Sequence, residues 1–252
     1  MIVYSFWRRV GTALSTDFTV YNYERFFTQP ALTKALTNSL EVTAITVVVS
    51  ILLAYPLAYI LAYQVPRQWQ RLALVLAILP FWTSYLVRSY SWLLVLAEGG
   101  IVNSALLNIG LIDEPVRFAH NRGATIVGFV HFFTMLLTLT IFANLVQIPR
   151  NYRLAAADLG ASRLSTFIRI TLPLSLPGVA VGAFLTFVIA IGDFITPQIL
   201  GGNKELLMPQ AIMLQIGRRG DFPMATAMGM LLMVVVTIVF LACARWLRME
   251  RV

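Results

Sequence analysis

The sequence predicts an all-α, polytopic membrane protein: a bundle of helices that each cross a bilayer. Of its 252 residues 59% are hydrophobic and only 12% charged, about half the charged share of an ordinary soluble domain. Mean hydropathy is +0.79. The apolar residues gather into five runs of a length that spans roughly 30 Å of hydrocarbon at about 1.5 Å of rise per residue. The single cysteine, Cys243, excludes a disulfide framework and a cysteine-built zinc set within the chain.

Taken in order, the spans fall at about 38–63, 72–97, 123–147, 178–200 and 225–247, within one transmembrane domain over residues 1–252. Met1–Trp7 is apolar but runs into Arg8 and Arg9 with no basic region ahead of it, so no cleaved signal peptide is expected. At the first span, Asn38 can act as a cap to which Glu41 reaches back in a capping box. In the second, Phe81, Tyr85, Arg88 and Trp92 recur at four, three and four residues, which places them on one helical face. Arg88 either pairs with an acidic residue or faces an anionic group of a substrate, because a lone charge in lipid is costly.

The third span carries His131 among phenylalanines, with no second ligand at metal-binding spacing; packing accounts for it. In the fourth, Gly178 and Gly182 suit close helix contact, a subunit interface being one place for it. Asp193 follows Gly192 where a helix is expected to break before Pro197. It has three readings of equal weight: a pathway carboxylate for a cationic amine, a partner of Arg88, or the cap of the next segment. Six methionines between 208 and 233 read mainly as core filling.

Arginine density sets the orientation. The side bearing 64–71, 148–177 and 248–252, with Arg245 at its edge, concentrates its basic residues, whereas the other spreads as many over nearly twice the length, which makes the first side cytoplasmic. The polar stretch 148–177 is too long for a plain connection between spans. Asn151 can cap a helix there, Ala155-Ala156-Ala157 favours it and Gly160 can end it in the left-handed conformation. Ser162 can cap a second short helix, stopped by Pro173 and Pro177. Small residues rimmed by Arg150, Arg153, Asp158 and Arg163 make either a peg for a partner's groove or an interfacial helix on lipid headgroups, and local physics does not separate the two.

The register of this stretch resembles a family signature. Ala155, Ala156, Gly160, Ile170, Leu172 and Pro173 match the loop of permease subunits of binding-protein-dependent ABC importers of type I, which reads Glu-Ala-Ala, three residues, Gly, nine residues, Ile, one residue, Leu-Pro; Leu154 stands where the family often has Glu. The strings from Pro80 to Arg88 and from Gly192 to Gly202 look like the first permease subunit of spermidine/putrescine-type systems. Tyr4-Ser5-Phe6-Trp7 resembles the end of a first span, which gives five clear spans plus a truncated one: either the start is assigned late, or the chain has five spans and begins on the outer side.

The resemblance implies a multi-pass subunit of a bacterial inner membrane, paired with a second permease, driven by two ATPase subunits and fed by an extracytoplasmic solute-binding protein, with polyamines or a related small solute as cargo. It implies an ATPase-docking role for Asn151, Arg153, Leu154, Ala155, Ala156, Asp158, Gly160, Ala161 and Arg163, with Ile170, Leu172 and Pro173 as loop scaffold. Phe81, Tyr85, Arg88, Trp92 and Asp193 are candidates for the substrate pathway.

The sequence has no phosphate-binding Gly-x-x-x-x-Gly-Lys-Ser/Thr loop and no catalytic or metal constellation, so ATP and magnesium are expected on the partner ATPase. Its basic residues are scattered through separate loops rather than gathered on one stripe with interleaved aromatics, so no nucleic acid is expected. The alternative is a secondary transporter or channel working without an ATPase. Such a protein needs ion-coupling carboxylates at the midplane, for which Asp193 is the fair candidate.

Overall fold

The computed structural model describes residues 1–11, 13–202 and 205–248; residues 249–252 of the basic tail lie outside them. In chain order the elements are α1 (Ile2–Ser5), β1 (Arg8–Val10), β2 (Ala13–Ser15), α2 (Tyr21–Thr28), α3 (Pro30–Tyr63), α4 (Arg67–Ile78), a 3₁₀ turn (Leu79–Trp82), α5 (Tyr85–Leu96), α6 (Ile101–Asn108), α7 (Arg122–Gln147), α8 (Arg150–Asp158), α9 (Arg163–Thr166), a π turn (Phe167–Thr171), α10 (Leu172–Gly192), α11 (Ile195–Leu200), α12 (Met208–Leu214), a second π turn (Gln215–Arg219) and α13 (Phe222–Arg248). Among the described residues five helical segments are long and apolar enough to cross a membrane: Pro30–Tyr63, Tyr85–Asn108, Arg122–Gln147, Arg163–Gly192 and Phe222–Ala244.

Three expectations about these elements are corrected. The span expected at 72–97 is not one helix: α4 passes into the 3₁₀ turn at Leu79–Trp82, Thr83 is extended, and helix resumes at Tyr85. Pro80 sits at the start of that turn, where its missing N–H costs least. The first span starts at Pro30 rather than near Asn38, so Asn38 and Glu41 lie inside α3 and form no capping box; the Glu41 carboxylate instead pairs with Arg122. Pro173 and Pro177 do not stop the short helix either. They lie within α10, just after the π turn. A π turn is the usual accommodation where the regular bonding ladder is interrupted, and here it precedes a proline with no N–H to give back.

The chain forms two compact units, residues 1–45, 85–128 and 188–242 in the first and 46–84, 129–187 and 243–252 in the second. In the first unit β1 and β2 form a small antiparallel hairpin, a detail absent from the all-α expectation. Asn22 on α2 donates to the carbonyls of Ser5 at 3.0 Å and Trp7 at 2.7 Å, and Arg25 pairs with Asp221 at 2.7 Å. Phe26, Leu32, Ala35, Met208, Met224 and Met228 form one buried cluster in this unit, so the three innermost members of the methionine excess fill a core. Gln210 accepts the Leu207 N–H at 2.9 Å and donates to the Pro197 carbonyl at 3.1 Å, which ties α12 to α11.

In the second unit α10 packs directly on α7. A Cβ at Gly178 would collide with Asn144, and one at Gly182 with Thr140 and Leu137. The small-residue pair therefore serves a contact inside the chain, not the subunit interface entertained from sequence. Ala54, Ala58, Leu137, Ile141 and Leu145 are the buried centre of this unit.

Candidate functional site

The polar stretch after α7 folds as the hairpin its residues call for, in the second unit. The amide of Gly160 donates to the Ala157 carbonyl and that of Ala161 to the Ala156 carbonyl, each at 2.9 Å, with Gly160 at φ +77°. This is a Schellman closure, which needs a left-handed residue just past the helix end. Ser162 Oγ then accepts the Ser165 N–H at 3.2 Å and starts α9. The cap of α8 itself is Pro149, with no side-chain bond; Asn151 is the second helical residue and exposed, so its expected capping role is not what the fold uses.

The hairpin presents small residues, with Ala155, Ala157 and Gly160 exposed, and sets apolar side chains beside them. Ala156 is turned inward and only 7% exposed, whereas Leu159 at the tip is 88% exposed and Tyr152, Leu154 and Leu164 are open as well. Tyr152, Ala155, Leu159 and Ile170 line a cleft of about 350 Å³. Of the four expected rim charges, Arg150, Arg153 and Arg163 also line a second cavity that touches the ends of α3 and α7. Asp158 is exposed. Tyr152, Leu159 and Leu164 were the available signal for the apolar tip, and their exposure is what the fold adds.

Behind the hairpin stands a set of residues the sequence reading missed. Tyr55, Tyr59 and Tyr63 sit four residues apart on α3, hence on one face. Tyr55 shares a hydrogen bond with Ser175 at 2.8 Å, and both Tyr55 and Tyr59 meet Phe167 edge-on at 5.8 and 5.5 Å. Tyr63 donates to the Leu145 carbonyl at 2.9 Å and carries the Arg153 guanidinium 3.7 Å over its ring, a contact worth roughly 0.5–2 kcal/mol. Gln70 on α4 donates to the carbonyls of Leu61 and Ala62, at 2.9 and 3.1 Å, closing the end of α3. The tyrosines thus join one span to α7, α8, the π turn and α10. The four-residue spacing was the available signal.

The pathway candidates divide between the units. In the first, Tyr85 donates to Asp193 Oδ2 and lies 2.5 Å from the Thr196 hydroxyl. The other side of the same carboxylate accepts the N–H of Ile195 at 2.8 Å, and Oδ2 accepts that of Thr196 at 3.3 Å. Asp193 therefore caps α11 across the break after α10, one of its three readings. Arg88, on α5 one turn from Tyr85, is buried, with its guanidinium carbon 5.9 Å from the Tyr85 ring centre. Trp92 packs with Leu96, Ala124 and Leu200. Phe81 does not share their helix: it lies in the 3₁₀ turn, and in the second unit its ring stacks on Phe132 at 5.1 Å.

Residues 54–248 match the family of binding-protein-dependent transport system inner membrane components. The chain belongs to that family. Ala155 to Pro173 lie within the matched region, so the signature stretch and the hairpin it forms are those of a family permease. The spermidine/putrescine transport system permease protein PotB of Escherichia coli is 34% identical over 178 residues, 71% of this chain and 65% of that protein. PotB of Haemophilus influenzae is 33% identical over 165 residues, 65% of this chain and 58% of its own length. The match therefore spans less than two thirds of the length of these curated relatives.

Among solved structures, a bacterial ABC transporter involved in the import of the acidic polysaccharide alginate superposes with a TM-score of 0.76 at 18% identity, over 94% of this chain and 85% of that one. The methionine transporter MetNI, in an inward-facing conformation, superposes with a TM-score of 0.64 at 16% identity, over 86% and 95%. At these identities the likeness speaks for the fold, which is that of permeases of type I ABC importers. With five apolar helices among its described residues the family permease is a multi-pass inner-membrane protein.

Proposed function

We propose that this chain is the permease subunit of an ATP-driven, binding-protein-dependent importer of polyamines, in which α8 and its Gly160 turn dock into an ATPase subunit. The observation that carries the reading is the hairpin itself: a capped, tyrosine-braced helix whose apolar tip, Leu159, is left open. An open leucine at the end of a rigid hairpin is suited to fill a pocket on a partner, because buried apolar anchors dominate such interfaces. ATP and magnesium belong to two ATPase subunits, a second permease completes the channel, and an extracytoplasmic binding protein delivers the solute.

The mechanism follows from the bracing. ATP-driven closure of the ATPase pair moves α8; Arg153 on Tyr63, and Phe167 against Tyr55 and Tyr59, pass that displacement to α3, α7 and α10. Packed helices respond by rocking between discrete arrangements rather than by continuous deformation. The Asp193 carboxylate, held by Tyr85 and the start of α11, supplies fixed negative charge suited to a cationic amine. PotB being a spermidine/putrescine permease supports the same cargo.

The test is Leu159→Glu in the assembled transporter. A carboxylate forced into an apolar contact without a partner costs several kcal/mol, so the ATPase subunit should no longer co-purify and spermidine uptake should fall by about a hundredfold or more, with the permease still made and inserted. Full co-purification with this variant would refute docking through the hairpin tip. Solute-stimulated ion flux by the chain alone would favour the lone secondary transporter.

A further inference from the structure

We propose that the cavity between the ends of α3 and α7 and the start of α8 binds the phosphate headgroup of an anionic phospholipid. It measures about 960 Å³ and is lined by four arginines, Arg67, Arg150, Arg153 and Arg163, with no carboxylate among its lining residues. The ion pairs among the described residues, Arg25–Asp221, Arg117–Glu98 and Arg122–Glu41, all lie in the other unit. Four like charges around one hollow repel one another, and an anion placed between them removes that penalty. The Nε of Arg153 is buried and has no hydrogen-bond partner. The first turn of α8 adds N–H groups that no side chain caps, and an uncapped helix start favours negative charge.

Position selects a lipid over a free anion. Tyr63 and Gln147 end two membrane-spanning helices, so the cavity lies at the level where hydrocarbon gives way to water. Val146 and Ile148 give it an apolar wall on which the first carbons of acyl chains can lie. Basic pockets between spans at this level hold anionic headgroups in membrane proteins generally. The cavity and the cleft at Leu159 share no lining residue, so a lipid and a docked protein need not compete.

The experiment is native mass spectrometry of the purified chain in detergent, titrated with phosphatidylglycerol or phosphatidylcholine, without any ATPase present. Its outcome is therefore independent of the docking reading. Phosphatidylglycerol should bind at least about tenfold more tightly than phosphatidylcholine. Arg67→Gln with Arg150→Gln, both exposed and so tolerable to the fold, should weaken phosphatidylglycerol binding by about thirtyfold. Arg71→Gln with Arg169→Gln, on the same side but outside the cavity lining, should leave it nearly unchanged. Equal losses in both variants would reduce the effect to general surface attraction and overturn the site. Displacement of the lipid by millimolar inorganic phosphate would overturn its assignment to a lipid, and unchanged affinity in the first variant would overturn the proposal altogether.

Discussion

The hairpin at 150–171 and the cluster around Asp193 are both polar features of an apolar chain, and they spend their polarity in opposite ways. The hairpin satisfies its backbone with Gly160 and Ser162 and leaves its apolar tip open. Asp193 satisfies its carboxylate on the chain itself, through Tyr85 and two N–H groups of α11. A surface that awaits a partner is recognised by apolar area it does not cover, and a charge kept within a membrane by the bonds that hold it. Under the proposed function Leu159 and Asp193 are two kinds of candidate residue, one defined by exposure and one by confinement.

After the docking test at Leu159, the largest effect that sharpens this contrast is expected at Asp193. Asp193→Asn keeps an acceptor for the Ile195 N–H but removes the charge, and should raise the KM for spermidine by about tenfold or more with the ATPase still bound. Tyr85→Phe keeps the carboxyl group and removes one donor, which should lower the thermal stability of the purified chain by roughly 1–3 kcal/mol in a melting measurement. If the Asp193→Asn variant transports spermidine as the parent does, the carboxylate is a cap alone and the pathway reading ends.

The tyrosine brace should come next. Tyr59→Ala removes edge contacts to both Phe167 and Tyr63, together about 1–3 kcal/mol. The expected readout is not loss of ATPase binding but a several-fold rise in ATP hydrolysed per solute moved, with Tyr59→Phe close to the parent. Loss of ATPase co-purification in Tyr59→Ala would erase the distinction between presenting the hairpin and transmitting its motion.

Gly160→Val is expected to act more mildly on the fold. Nothing lies within 4 Å of a Cβ at Gly160, so the cost is conformational, about 1–2 kcal/mol for leaving a non-glycine residue left-handed. Uptake should nevertheless uncouple from hydrolysis, because the turn sets where Leu159 points. Unimpaired transport would show that the turn is replaceable.

These residues also show what local sequence carries. Gly160, the alanine run and Ser162 act on their own neighbours within a few residues, and each was legible. The break at Asp193 was legible for the same reason, as Gly192 and Pro197 flank it. The donor on Asp193 was not, since Tyr85 stands 108 residues away and periodicity assigns a face without assigning what meets it. The grouping of Phe81 with Tyr85 failed because Pro80 and Thr83 change the local geometry from a regular helix to a 3₁₀ turn and an extended residue. The direction of Arg153 was not legible because only the ring of Tyr63, set by the packing of α3 on α7, decides where its guanidinium rests.

The smallest effect separates the two ends of the hairpin. Ser162→Ala deletes the oxygen that accepts the Ser165 N–H, a loss of about 1 kcal/mol for an N-cap. α9 has only four residues and continues through the π turn into α10, so the missing cap loosens the start of a long helix rather than melting a short one. Amide exchange at Ser165 and Thr166 should rise about fivefold, with Ala157 to Ala161 unchanged because their bonds belong to the Gly160 closure. Exchange rising equally at both ends would mean that the hairpin opens as one unit, and that its rigidity comes from the tyrosines behind it instead of from its own caps.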